Sequence, residues 1–335
     1  MQFMIDIDLR KADTPITYHD KLLLVGSCFT EHIGKALADA KFTLLQNPHG
    51  ILFDPASVCK SLISYIENRQ YKEADLFQLN EVWHSWDHHS RFSGIDAGEV
   101  IKKINHSQEI AHGFLKDATC VIITLGSSFS YRLTAESGSH SSVPDENGVA
   151  NCHRAPAKWF QKHLLEINDT ISMLDHLYHR LRQFNPALRI IFTVSPVRHL
   201  RDGVVENNRS KARLIEAVHH LVNKYEGIHY FPAYELVIDV LRDYRFYDVD
   251  LAHPNYQATE FVLEKFMESC LHEPAAELMK EIRKLSIARR HRPLQPDTIA
   301  HQQFLSSQLA RVKQLKVKYP FLDLSEEISY FSADR

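Results

Sequence analysis

Two short runs in this 335-residue chain carry the residue types of covalent acyl chemistry. The first is Gly26-Ser27-Cys28-Phe29, which follows the apolar Leu22-Leu23-Leu24-Val25 and precedes a stretch of good helix formers. A strand that turns at a glycine into a helix delivers a side chain to the carboxyl edge of an α/β sheet. The helix N-terminus then favours negative charge and offers free N–H groups to an oxyanion. Ser27 and Cys28 are both nucleophile types. Taken alone, the run reads more simply as an ordinary turn, with Ser27 as N-cap and Cys28 as core filler. The second run holds Asp250 and His253, three residues apart in a proline-bounded, non-helical segment. At that spacing a carboxylate reaches one imidazole nitrogen, fixes the tautomer and leaves the other nitrogen as general base. Asp250 as a turn cap and His253 as a helix-start residue beside Pro254 is the plainer reading of that pair alone.

Elements of the right kind exist to carry both runs. Short apolar segments at residues 21–25, 42–45, 119–124, 189–194 and 228–231 read as strands buried on both faces. Between them, residues 31–40, 55–67, 98–115, 172–183, 210–225 and 258–270 have helical patterns. The alternation predicts a mostly parallel sheet covered by helices. Residues 135–150 are polar and turn-rich, and predict an exposed inserted loop. From residue 274 the strands stop. Leu278, Ile282 and Leu285 mark one helix; Phe304, Leu305, Leu309, Val312 and Leu315 mark another. The expected organisation is an α/β domain over 1–273 and a helical extension over 274–335 packed on it. The arginines at 289, 290 and 292 in that extension read as a helix-end cluster facing water.

Composition narrows the function classes. With 39 basic and 42 acidic side chains the net charge is −3, which gives no field for nucleic acid or an anionic membrane. No apolar run is long enough to span a bilayer, and the N-terminus lacks the basic and apolar regions of a signal peptide. Five scattered cysteines, without a C-x-x-C pair, read as free thiols in a reducing compartment, so the cytoplasm is the expected location. No Walker A run or G-x-G-x-x-G follows a strand, and no cofactor is expected.

Together the two runs are more specific than either. A nucleophile after the first strand, with Asp and His near the domain's end, resembles the order of SGNH (GDSL-type) hydrolases. The literal Gly26-Ser27-Cys28-Phe29 is similar to the namesake motif of the GSCFA domain family, which looks related to that superfamily. The likeness continues through Asn47-Pro48-His49-Gly50, Thr124-Leu125-Gly126-Ser127, Asn151-Cys152-His153-Arg154, Thr193-Val194-Ser195-Pro196-Val197-Arg198 and Tyr244-Arg245-Phe246-Tyr247, covering residues 20–270. It implies a flavodoxin-like three-layer sandwich with a mostly parallel five-stranded sheet, plus the helical extension. It also implies an ester hydrolase working through a covalent acyl-enzyme. In GDSL-type enzymes the nucleophile stands two residues after the glycine, a register that lands on Cys28; keeping a serine selects Ser27. Both remain open. Gly50 matches the glycine that such enzymes use in the oxyanion hole. Their G-x-N-D asparagine is replaced in the Gly126-Ser127-Ser128 turn by Ser128, and Asn151 is a second replacement.

Other clusters rank lower. His84, Asp87, His88 and His89 contain metal-ligating types, but their spacing matches no established ligand set, and no metal is expected. His153 and Arg154 suit an anionic substrate group or simply hold a turn. Arg198 and His199 follow the fourth strand on the functional edge, with substrate and structural roles equally open. The expected activity is removal of a small acyl group, for example acetyl, from a small-molecule or glycan ester. An acyltransferase acting on a saccharide and a non-catalytic binding module with the same fold are the alternatives. A homodimer through the helical extension is the expected protein partner.

Overall fold

The computed structural model describes residues 5–140, 148–291 and 293–332. Along the chain, β1 (Lys21–Gly26) leads into α1 (Cys28–Asp39), β2 (Thr43–Gln46) and α2 (Pro55–Glu67). A hairpin of β3 (Phe77–Leu79) and β4 (Val82–His84) precedes α3 (Ala97–Asp117) and β5 (Cys120–Leu125). Next come β6 (Phe129–Leu133), β7 (Phe160–Leu164), α4 (Ile167–Phe184), β8 (Arg189–Val194), α5 (Gly203–Lys224) and β9 (Ile228–Phe231). A short helix α6 (Ala233–Glu235) runs into a π-helical turn, Leu236–Leu241, and α7 (Tyr256–Cys270) closes this part of the chain. The remainder is α8 (Glu273–Arg290), α9 (Ile299–Lys318) and α10 (Ser325–Ser332).

The apolar runs pair into one five-stranded sheet in the order β2-β1-β5-β8-β9, every pair parallel. Their side chains divide between two cores as a period of two requires. Leu22 and Leu24 pack with Phe29 and Ile33 of α1 and with Val262 and Phe266 of α7. Leu23 and Val25 pack with Leu62 of α2, Leu174 of α4 and Leu214 of α5. Each fully buried leucine contributes about 1.5–3 kcal/mol relative to exposure. The result is the three-layer α/β sandwich expected from the sequence, with the strand order of flavodoxin-like sheets. In that order the chain reverses direction of travel between β1 and β5, and the crevice at their carboxyl ends is where such folds bind ligands.

Local chemistry explains the boundaries. Pro55 opens α2, and Asp54 caps it by accepting the Ser57 N–H at 3.1 Å. Asp96 and Asn255 cap α3 and α7 in the same way. The predicted strands 189–194 and 228–231 and the predicted helix 55–67 are observed with those bounds. Helix α1 begins at Cys28, three residues before the expected start, because Ser27 already adopts extended N-cap backbone. The short ladders β3–β4 and β6–β7 were not expected from the sequence. Residues 141–147 of the expected exposed loop lie outside the described residues, but Val149 and Ala150 are buried. Their N–H groups bond the Tyr131 and Trp86 carbonyls at 2.8 Å, which ties the loop's end onto an aromatic cluster of Phe77, Trp86 and Trp159. The arginine cluster is also not free in water: Arg289 bonds Glu326 and Arg290 bonds Asp39, each at 2.7 Å, while Arg292 lies outside the described residues. Among the described residues no helix is long and apolar enough to cross a membrane.

Gly26 is the tightest point of the sheet. Its φ is +143°, and a Cβ there would lie 2.2 Å from the Thr124 carbonyl oxygen of β5. Gly26→Ala must therefore both strain the backbone and push β1 from β5. The expected loss, read from urea unfolding by far-UV circular dichroism, is about 2–5 kcal/mol.

Candidate active site

Ser27 and Cys28 leave the Gly26 turn in different directions. Ser27 is 3% exposed, and its hydroxyl is buried without a hydrogen-bond partner. Cys28, the first residue of α1, is half-buried with part of its surface open. The sequence expectation was a thiol acidified by the helix N-terminus and a nearby imidazole. The structure shows the opposite net direction. Burial and then the Glu31 carboxylate push the Cys28 thiol up, outweighing the Lys211 ammonium and the N–H groups of Cys28 and Phe29 that favour the thiolate. Those two N–H groups, the first of the helix, nevertheless face the sulfur.

Asp250 and His253 meet as the spacing predicts. His253 Nδ1 and Asp250 Oδ2 are 2.6 Å apart, and Asp250 Oδ1 accepts the N–H groups of Ala252 and His253 at 3.0 Å each. The His253 N–H, the imidazole and then the Ala252 N–H hold the carboxyl well below the usual carboxylate range. The side chains of both residues are 48% exposed. With Nδ1 on the carboxylate, Nε2 is the nitrogen left to accept a proton. The loop is held by a bridge between Tyr247 and Pro254 and by the Arg198 N–H, which bonds the Ala252 carbonyl at 3.0 Å. The Arg198 guanidinium lies over the Tyr247 ring at 4.2 Å. His253 lies in electrostatic range of His32, one helical turn beyond Cys28 on α1, and of His199. Burial, with Lys211 beside it, pushes His199 down to about 4.

The expected oxyanion donors are placed otherwise. The Gly50 N–H bonds the Asn47 carbonyl at 2.7 Å within its own turn. Glycine is needed there because φ is +87° and a Cβ would lie 2.2 Å from the His89 Cβ. Ser128 is fully buried; its N–H bonds Ser210 Oγ at 2.7 Å and its hydroxyl bonds the Ser210 carbonyl at 3.0 Å, fastening the turn to α5. Asn151 Oδ1 accepts the His153 N–H at 2.8 Å. His153 in turn donates from Nε2 to the Ser85 carbonyl at 2.7 Å and packs against Phe77, His84 and Trp86. Asn151 and His153 thus belong to the aromatic cluster around β3 and β4. Gly126 does stand at the nucleophile turn, where a Cβ would come within 3.3 Å of the Ser27 Cβ.

The histidine-rich run does not converge. Asp87 pairs with Lys60 at 2.7 Å and with Arg69 at 3.6 Å, and His84 bonds Ser93 Oγ at 2.7 Å. Among the described residues no three His, Cys, Asp or Glu side chains are grouped to hold a metal ion.

Sequence reasoning missed two residues of the turn. Asn47 Oδ1 accepts the Gly26 N–H at 2.9 Å and fixes the turn from the β2 side. Lys211 is 1% exposed, with Nζ bonded to the Gly126 carbonyl at 2.5 Å and the Ser195 carbonyl at 2.6 Å. The signal was present: Lys211 falls on the buried stripe of α5 with Asn207, Leu214, Val218 and Leu221, where a lysine is out of place.

Comparison with known proteins follows the same lines. The profile of the GSCFA family matches residues 21–266, and that of the GSCFA domain protein C-terminal domain matches residues 282–334. No curated protein matches the chain. Among solved structures, it is similar to a carbohydrate esterase family 3 protein from Talaromyces cellulolyticus at TM-score 0.34 and 9% identity, covering 79% of this chain and 99% of that one. A Clostridium thermocellum family 3 carbohydrate esterase gives TM-score 0.31 and 8% identity over 79% of this chain and 98% of that one. A candidate platelet activating factor from Streptococcus pneumonia gives TM-score 0.38 and 12% identity over 74% and 82%.

Two outcomes are expected. Cys28 should alkylate with iodoacetamide faster than the buried Cys59, Cys120 and Cys270, and its rate should keep rising with pH through 9, since its thiol is raised. Residue-resolved mass spectrometry reads both. Buried His49 and His153 and half-buried His199 are each pushed down to about 4, chiefly by desolvation, so the unfolded chain binds protons more readily below its ordinary imidazole range. Stability should therefore hold above about pH 6.5 and fall as pH drops toward 4, by about 1.4 kcal/mol per pH unit for each buried neutral imidazole. Urea midpoints that stay constant between pH 7 and 4.5 would contradict this.

Proposed function

The chain belongs to the GSCFA family, and from that premise we propose an SGNH-like ester hydrolase with Cys28 as nucleophile and His253, oriented by Asp250, as general base. One observation carries the reading: the half-buried Cys28 opens α1 at the carboxyl edge of the sheet, where the Arg198 N–H after β8 also holds the loop of the 2.6 Å Asp–His pair. Ser27 is the weaker candidate because its hydroxyl is buried.

In the proposed cycle the thiol proton passes to His253 Nε2 as the sulfur–carbonyl bond forms. The N–H groups of Cys28 and Phe29, the first two of α1, are the donors proposed for the developing oxyanion. Collapse breaks the ester C–O bond, and the leaving alkoxide takes the proton from His253. Water then attacks the thioester with His253 as base, releasing the acid and restoring the thiol. A small acyl group such as acetyl, on a small alcohol or glycan, is the substrate class proposed. A thiol at this position also favours a second reading, an acyltransferase to a saccharide, because thiols exchange readily with thioester donors. An added sugar that diverts the acyl group from water identifies that second activity.

Incubation with an activated acetyl ester should add one acetyl mass to the intact protein, located at Cys28. Cys28→Ala should abolish the adduct and Ser27→Ala should leave most of it. His253→Ala should lower turnover by about 10²–10⁴. Unchanged turnover in His253→Ala sinks the assignment of the base, and no adduct from any ester or thioester sinks the enzyme reading.

A further inference from the structure

The cycle above makes no use of the Arg198 side chain, which differs from every other arginine in a comparable position. Among the described residues, each of the other half-buried arginines pairs with a carboxylate. Arg198 is half-buried too, yet its guanidinium meets no carboxylate and donates no hydrogen bond. It rests instead on aromatic faces, 4.2 Å from the centroid of the Tyr247 ring and 5.4 Å from that of Tyr244. Stacking of this kind offsets part of the lost hydration and leaves the in-plane N–H fork open to an acceptor. A second donor in the same seat is also unmet. Tyr247 is 7% exposed, and its hydroxyl is buried without a hydrogen-bond partner. Buried phenols ordinarily find one, so an orphan beside an unpaired guanidinium calls for an explanation.

Both residues flank the proposed base. The Arg198 N–H bonds the Ala252 carbonyl at 3.0 Å, immediately before His253, and Tyr247 bridges to Pro254, immediately after it. The neighbouring acids are engaged elsewhere: Asp250 with His253 at 2.6 Å, Asp243 with Arg245 at 3.6 Å and Glu235 with the Tyr230 hydroxyl at 2.8 Å. Resting on the reading of Cys28 and His253 as nucleophile and base, we propose that Arg198, seated on Tyr247, is a subsite for an oxyanion carried by the substrate, a carboxylate or a phosphate. The guanidinium fork takes two of its oxygens, and the unmet Tyr247 hydroxyl is the further donor of the seat. Because the acyl group of the proposed cycle is small, the charge belongs to the alcohol that is released. The substrate class is thereby an acylated hydroxy acid or phosphorylated alcohol, not a neutral glycan.

The test uses the full chain and three matched acetyl esters: 4-acetoxybenzoate, 4-acetoxyphenyl phosphate and the neutral 4-acetoxybenzamide. One anionic ester should exceed the neutral one in kcat/KM by about tenfold or more, and which of the two does so separates carboxylate from phosphate. In Arg198→Met that ratio should fall by about ten- to a hundredfold, carried by KM. An arginine that only braces the loop would lower all three esters together and leave the ratio in place. That outcome in Arg198→Met shown to be folded by circular dichroism overturns the proposal, as does a wild type with no preference for either anion. If Arg198→Met does not fold, Arg198→Lys decides: it keeps the charge and loses the fork, and an unchanged ratio overturns the subsite. Calorimetry with the product alcohols 4-hydroxybenzoate, 4-hydroxyphenyl phosphate and 4-hydroxybenzamide needs no turnover. An anion that binds in an Arg198-dependent way, with no ester hydrolysed, refutes the esterase reading while leaving the subsite intact.

Discussion

The contact between Gly26 and the Thr124 carbonyl governs the rest of the site. With room for a hydrogen but not a methyl group, it lets β1 and β5 stay paired to the last residue of β1 while the chain turns away. The turn is then clamped from three sides. Asn47 holds the Gly26 N–H, the Thr124 carbonyl takes the Ser27 N–H at 3.1 Å, and Gly126 closes against the Ser27 Cβ. Ser27 has nowhere to go but inward. Cys28, one residue on, begins the helix and reaches the surface. Backbone sterics thus give the two side chains different surroundings, Ser27 buried and Cys28 half-buried.

That clamp also explains the electrostatics. The same turn that exposes Cys28 buries enough of it to disfavour a thiolate, and Glu31 adds to the cost. The first helical N–H groups and the Lys211 ammonium act against both. The net direction favours the protonated thiol. The separate environment of Asp250, exposed and fed by two N–H groups, keeps it ionised and able to hold His253 throughout.

Legibility from sequence divided along physical lines. All five sheet strands were placed to within a residue at each end, because unbroken apolar runs announce buried strands; β2, at the sheet edge, is the exception to the expected burial, with no buried residue. The Asp250–His253 contact was legible because it is local: three residues of loop contain the whole interaction. The three-residue strands β3 and β4 have too few positions to show alternation. Burial of Val149 and Ala150 depends on Trp86 and Tyr131, which are distant in sequence. Gly50 and Ser128 were read as donors from the resemblance to GDSL-type enzymes. Their hydrogen-bond capacity is already committed, to the Asn47 carbonyl and to Ser210, and such commitments are tertiary facts. Lys211 was visible as a misfit on an apolar helix stripe, but the Gly126 and Ser195 carbonyls that hold it, at the ends of β5 and β8, were not.

The two halves of the site are built independently and joined by a third element. The nucleophile turn is fastened by β2 and β5, whereas the Asp250–His253 loop is closed on itself through the Tyr247–Pro254 bridge. What relates them is the segment after β8. Its Ser195 carbonyl holds Lys211, its Arg198 N–H holds the Ala252 carbonyl beside His253, and His199 lies in charge range of both Lys211 and His253. Arg198 stacks over Tyr247 at the same time, so side chain and backbone grip one loop from two directions. A site assembled this way has its distances set by one six-residue stretch, 194–199, at the end of a central strand. Because β8 is paired on both sides, that stretch is anchored to the centre of the sheet, and the Asp250–His253 loop and Lys211 are held from the same strand edge.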